Sequence, residues 1–257
     1  MLVLCYHDVS YDRSPLAIEP ELFSQHLAVL DSCGATVLTA SEVLTALEQR
    51  QVPERAVALT FDDGFAGAAS EGRRRLAGAQ MRATFFCVAG HLGGASDWPS
   101  RRGNAPVGRL ASSDQIALLA REGHEIGSHG WSHAPLDAAA DLRRELVESQ
   151  VALTAATGSE IRTFAYPYGA LPIAAAGALV EETYSGAFTT AGRRVTSTSS
   201  PFSVPRVDSH YVRDPRVLRS VVLGEFDAYL RARRMGARTR RALRKDYATR
   251  AVAGAKP

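Results

Sequence analysis

The sequence predicts an α/β chain folded as a distorted parallel (β/α) barrel, a single domain over residues 1–230 followed by a basic helical tail over 231–257. Three observations predict it. Short apolar runs alternate with longer stretches of helical pattern, the signature of parallel strands wrapped by helices, and their count favours closure into a barrel. A length of 257 residues suits one domain of the barrel size class. Polar residues able to do chemistry follow the apolar runs, and in a barrel the C-terminal ends of the strands form the active rim.

The elements follow in order. LVLCY at 2–6 is the first expected strand, and 20–33 the first helix, stopped by Gly34. A strand at 36–39 leads to a helix at 41–51 with Ser41 as N-cap. AVALTF at 56–61 is an apolar run long enough for a buried strand, followed by a helix at 66–79 and a strand at 83–88. Residues 90–112, rich in Gly, Pro, Ser and Arg, form the longest interruption and are expected to be a rim loop, since loops of this length are uncommon without a function. A helix at 113–122 is bounded by Ser113 and Gly123. Strands at 124–127, 162–165, 186–189 and 203–206 then alternate with helices at 138–157, 172–183 and 215–231.

Two fragments carry the chemistry. LTFDDG, 59–64, offers Asp62 and Asp63 just after a strand, and SHGWSH, 128–133, offers His129 and His133. Alone, the histidine pair reads equally well as two polar residues on one helical turn, and Asp-Asp-Gly reads as a turn. Together they offer two nitrogens and one oxygen to a divalent metal, the three-ligand set of a catalytic zinc site, where a bound water has its pKa lowered to about 7. The remaining aspartate is then free to act as a base. The other rim residues are His7 after 2–6, Tyr166 after 162–165, and Arg206 with Asp208 at the end of 203–206.

TFDDG, followed about 65 residues later by H-x-x-x-H and then by FAYPYG at 164–169, resembles the polysaccharide deacetylases, the NodB-homology or carbohydrate esterase family 4 domains, over most of residues 1–210. The resemblance implies an irregular (β/α) barrel that hydrolyses an N- or O-acetyl group on a sugar. It implies Asp62 as general base and Asp63, His129 and His133 as metal ligands. It also implies Tyr168 as the residue whose backbone N–H stabilises the oxyanion. Zinc suits this ligand set, and cobalt, nickel and iron are also accepted by it.

The sequence departs from the family's pattern at two points. The general acid, a histidine in a leucine-containing motif near the domain's C-terminus, has no counterpart downstream. LVLCYHDV has its form, which implies a circularly permuted order with His7 as the acid and His210 as the competitor. The arginine that orients the base in the family's F-R-P-P-Y-G is replaced by Ala165. Arg206 or Arg162 is expected to supply that charge, and Asp208 is available to orient His7. Trp98 is a candidate sugar platform or a loop anchor, Arg101 and Arg102 are candidate anion contacts, and Tyr166 is a further candidate for substrate contact. His26, His91 and His124 read as structural or surface residues.

Composition narrows the classes. Hydrophobic residues at 46% and charged residues at 22% are ordinary for a globular chain. Cys5, Cys33 and Cys87 are widely spaced, with no C-x-x-C, so neither a disulfide framework nor a cysteine zinc site is indicated. The N-terminus does not read as a signal peptide, and no apolar run reaches membrane-spanning length, so a cytoplasmic location and a glycan precursor as substrate are expected. Residues 231–257 hold ten Lys or Arg and one Asp, a net of +9 against +3 overall, which leaves −6 on residues 1–230. That tail fits contact with anionic lipid at the inner face of a membrane, and equally a solvated terminal helix. With one aromatic and no recognisable module it does not suggest nucleic acid. Two rivals stand beside the deacetylase: a hydrolase of a non-carbohydrate amide on the same scaffold, and a non-catalytic sugar-binding protein, suggested only by Ala165.

Overall fold

A computed structural model describes residues 1–98, 107–225 and 232. The expected tail, apart from Ala232, lies outside the described residues, as do Arg101, Arg102 and the end of the last expected helix. The chain opens with β1 (Leu2–Tyr6), followed by β2 (Asp8–Val9) and β3 (Ala17–Ile18), which pair only with each other. The main sheet is parallel throughout. β4 (Thr36–Leu38) bonds the lower half of β5 (Ala56–Phe61), and β6 (Thr84–Cys87) bonds its upper half, while β1 lies along its other edge from Leu2 opposite Val57 to Tyr6 opposite Phe61. The order continues through β7 (Glu125–Ser128), β8 (Thr163–Ala165) and β9 (Gly186–Thr189). The ring closes through β10 (Val204–Pro205) and β11 (Val207–Asp208), separated only by Arg206, the former bonded to β9 and the latter to β1.

The two-residue period of each strand sorts its side chains. Leu2, Leu4 and Tyr6 point outward into the shell between barrel and helices, with Phe61, Phe85 and Ile126. Val3, Ala56, Ala58, Phe86, Ala165, Phe188 and Val204 form a second, smaller core. The helices are α1 (Pro20–Ser32), α2 (Ala40–Glu48), α3 (Arg73–Gly78), α4 (Ser113–Arg121), α5 (Ser149–Thr157), α6 (Ala174–Thr183) and α7 (Pro215–Val222). α2 packs on the smaller core at the N-terminal ends of the strands through Val43, Leu44 and Leu47. Glu125 ties it there, accepting from Ser41 N–H and Oγ–H at 2.9 Å each, from Thr84 Oγ at 3.2 Å and from Thr163 Oγ at 2.7 Å.

Several boundaries differ from expectation for local reasons. α2 is capped by Thr39 rather than Ser41, because Glu42 can return a hydrogen bond to Thr39 N–H only from that register, and Ser112 caps α4 through Gln115 in the same way. The expected helix at 66–79 contains a π-helical turn, Ala68–Gly72, ahead of α3. The expected helix at 138–157 begins only after Asp141, whose carboxylate accepts from Arg144 N–H at 3.0 Å. The rim segment 90–112 is partly built rather than open: Gly93 N–H donates to Ala111 O, Leu110 N–H to Gly94 O and Ser96 N–H to Gly108 O, which pairs its two arms.

Candidate metal centre and its acid–base partners

The strand ends deliver the expected residues to one rim. Asp62 and Asp63 follow Phe61 directly, His129 follows Ser128, and all three are buried together with His133. Asp63 Oδ1 lies 3.4 Å from His129 Nε2 and 3.2 Å from His133 Nε2. Donor atoms of the three residues lie within 4.8 Å of one another. The His129 Nδ1–H donates to Ala165 O at 2.7 Å, which fixes the tautomer and turns Nε2 toward Asp63. A buried carboxylate oxygen flanked by two imidazole nitrogens, one with its tautomer already set, fits a divalent cation of borderline softness. Burial would raise the Asp63 carboxyl, but the two histidines hold it well below the usual carboxylate range. Burial outweighs the neighbouring acids at His133 and keeps it low, favouring the neutral, ligating form.

His133 is set by the loop that carries it. Buried Glu145 accepts from Trp131 N–H at 2.9 Å and Ser132 N–H at 3.1 Å through Oε2, and from Ser132 Oγ–H at 2.5 Å through Oε1. Sequence reading missed this residue, since a carboxylate that binds backbone amides across a chain reversal has no motif of its own.

Asp62 sits beside this set with different partners. Arg206, fully buried, grips it through two parallel hydrogen bonds, Nη1 to Oδ1 at 2.6 Å and Nη2 to Oδ2 at 2.7 Å. The same guanidinium donates to Thr60 Oγ at 3.0 Å and Thr189 O at 3.2 Å. Of the two arginines expected beside Asp62, Arg206 reaches it, whereas Arg162 pairs with Glu160 on the surface. Burial alone would raise the Asp62 carboxyl, but Arg206 reverses this and holds it at about 2. The Cys5 thiol, kept protonated because burial raises its pKa, donates to Asp62 Oδ2 at 3.3 Å. Cys5, His7 and Asp62 also gather within 4.8 Å, but Arg206 already neutralises this group's one carboxylate.

A cavity of about 270 Å³ opens over both aspartates. Its wall includes His7, Tyr168 and Asp208 beside the metal set, with Pro15, Leu16, Phe65 and Trp98 as the apolar part. His7 and Asp208 thus reach the cavity from neighbouring strands, although the Asp208 carboxylate accepts from the His210 backbone N–H at 2.9 Å. Two candidates, the competing acid His210 and the substrate-contact candidate Tyr166, fall elsewhere. His210 is exposed in the turn after β11 and does not line the cavity. Tyr166 is buried against Phe164 with its hydroxyl on Phe202 O, because the period of β8 turns it outward. Trp98 lines the cavity yet is only 4% exposed. Tyr168 has φ +60°, and its ring meets His133 edge-on at 4.6 Å. His26 and His124 are structural, as expected: His26 bridges Tyr6 OH and Arg213 O, and His124 Nδ1 accepts from Ala83 N–H.

Comparison with known proteins adds relatives. Residues 49–184 match the sequence model of the family described as polysaccharide deacetylase. A chitin deacetylase of Pestalotiopsis sp. is 33% identical over 112 residues, covering 43% of this chain and 33% of that one. The peptidoglycan-N-acetylglucosamine deacetylase PgdA of Listeria monocytogenes is 26% identical over 163 residues, covering 62% and 31%. The chain spans about a third to just over half the length of the curated relatives it matches. Among solved structures, IcaB from Ammonifex degensii superposes with a TM-score of 0.73 at 24% identity, covering 87% of this chain and 96% of that one, a likeness of fold.

Proposed function

The chain belongs to the polysaccharide deacetylase family, and from that premise we propose that it hydrolyses an N-acetyl group from an amino sugar, in a division of labour between two adjacent carboxylates. The observation that carries the reading is the contrast between them: Asp63 lies between His129 and His133, while Asp62 is gripped by Arg206. Asp63, His129 and His133 would hold a divalent cation, zinc before cobalt, nickel or iron. When bound, such a cation polarises the acetyl carbonyl and acidifies water.

The remaining roles belong to the chain. Asp62, kept ionised and fixed in direction by Arg206, takes the proton of the attacking water. The Tyr168 backbone N–H donates to the oxygen on which charge develops, a role in which one donor is worth about 10²–10³ in rate. His7 protonates the departing nitrogen, for which a placed acid contributes about 10²–10⁴. This assignment gives the family a permuted order here, with the acid just after the first strand, which lies beside the last. Arg206 on Asp62 offsets Ala165, the one feature that favoured a non-catalytic reading.

The relatives' names point to chitin and peptidoglycan, both polymers of N-acetylated hexosamines. The cavity, apolar on one side and edged by acids, is consistent with one N-acetylhexosamine unit; no Lys or Arg lines it among the described residues. The test is acetate release across N-acetylated mono-, oligo- and nucleotide-linked sugars, with and without chelator. Chelator-sensitive release from a neutral N-acetylated sugar is the expected outcome. Release only from non-carbohydrate amides would overturn the substrate class.

A further inference from the structure

We propose that Trp98 is a positioning residue for His133, so that its contribution is read in metal affinity rather than in sugar affinity. The inference rests on the reading of Asp63, His129 and His133 as cation ligands. Trp98 is 4% exposed, which leaves too little of either indole face for a sugar ring to stack on. Its ring lies 4.4 Å from that of His133 at an interplanar angle of 33°, and Tyr168 meets the same imidazole at 4.6 Å. The imidazole is thus in contact with two aromatic rings. The His133 backbone, at φ +59°, is in a region that β-carbon sterics disfavour, so contacts around the residue must hold it, and the Trp98 ring is one of them.

The segment that delivers Trp98 is joined to the other ligand's loop. The Ala111 N–H donates to Gly64 O and the Ala66 N–H to Arg109 O, which stitches the returning arm to the residues just after Asp63. Leu110 pairs with Phe65 across this seam, and Phe65, Val88, Trp98 and Leu110 form their own apolar cluster. Gly108 is required there, since a Cβ would fall 2.6 Å from Phe65 Cε1. His91 adds an edge-on contact to Trp98 at 5.6 Å. The two paired arms therefore connect the Asp63 loop to the His133 ring. A ligand already held in its binding rotamer loses less freedom when the cation arrives, the usual contribution of groups behind the ligands.

The experiment measures the zinc dissociation constant of wild type, Trp98→Phe and Trp98→Ala by competition with a chelator, and KM at saturating zinc for the best N-acetylated substrate. Trp98→Ala should bind zinc about tenfold or more weakly, the range typical of lost support behind a ligand. Trp98→Phe should recover most of the affinity, and KM should change less than about twofold. Unchanged zinc affinity with KM raised about tenfold would overturn the inference and make Trp98 a sugar platform. Wild-type protein that holds no zinc would remove the premise, and the inference with it. A second measurement does not depend on how the alanine variant folds. The chain has two tryptophans, so in Trp131→Phe the remaining emission should be quenched by Co²⁺ with the midpoint of cobalt binding, and emission indifferent to bound Co²⁺ would contradict the contact of Trp98 with His133.

Discussion

At the scale of single residues, the pair Asp62–Arg206 decides most. A fully buried, two-pronged ion pair is costly to leave half made: removing one partner of such a pair typically costs about 3–5 kcal/mol. Arg206→Met should therefore destabilise the fold by about that amount in chemical denaturation and also lower turnover, because Asp62 would lose both its direction and the charge that keeps it ionised. A loss below about 1 kcal/mol would mean that water reaches the site and screens the pair. The pair also has a pH signature in the metal-free protein. Asp62 is held at about 2 against an ordinary 3.8, so the folded state binds its proton less readily than the unfolded chain. Its contribution, about 2 kcal/mol, is fully present above pH 4 and is lost as pH falls from about 4 toward 2. Arg206→Met should flatten this part of the stability profile. Asp62, Asp63, His129 and His133 were legible in the sequence because they sit in two short fragments. Arg206 was legible only as one of two candidates beside Arg162, because it comes from a strand far along the chain and only barrel closure shows which of the two reaches Asp62.

At the scale of elements, the site is built from turns that leave the ordinary backbone regions. Among the described residues five non-glycine residues have positive φ, and three of them, Asp63, His133 and Tyr168, belong to the rim. Each such residue costs on the order of 1 kcal/mol, and surrounding contacts must hold it. The turn after β8 shows how: Gly169, at φ +63°, donates to Tyr166 O at 2.8 Å and packs so closely on Thr190 that a Cβ would collide with Thr190 Oγ and lie 2.7 Å from its N. Gly169→Ala should push this turn outward and carry Tyr168 with it. In that variant kcat should fall about 10²-fold, the cost of losing one oxyanion donor, with KM nearly unchanged; an unaltered kcat would remove Tyr168 from the proposed mechanism. Element order was legible from apolar periodicity. The cap positions at Thr39 and Ser112 and the paired arms of residues 93–98 and 107–111 were not, because each depends on which side chain returns a hydrogen bond or on a partner strand that composition does not reveal.

At the scale of the whole molecule, closure of the barrel is what the proposed chemistry depends on, because β11 on β1 sets Asp208 beside Cys5 and so brings His7 and Arg206 to the same rim as the Asp-Asp pair. A cation held by three elements at once should also stabilise the fold. At one hundred times its dissociation constant zinc adds about 2.7 kcal/mol, which for a chain of this size raises Tm by roughly 5–10 °C. Chelation should reverse the gain, and identical melting with and without zinc would count against a built site. No helix among the described residues is long and apolar enough to cross a membrane. Eight strand positions were readable from sequence, whereas the way Val204–Asp208 splits between β9 and β1 to close the ring emerged only in three dimensions. The central claim is that two neighbouring carboxylates have different duties. Its most direct test is zinc content and acetate release measured side by side for Asp62→Asn and Asp63→Asn. Asp62→Asn should keep one equivalent of zinc while acetate release falls at least about 10²-fold, and Asp63→Asn should lose the zinc itself. An Asp62→Asn enzyme with near wild-type turnover, or an Asp63→Asn protein that holds zinc as tightly as wild type, would contradict it.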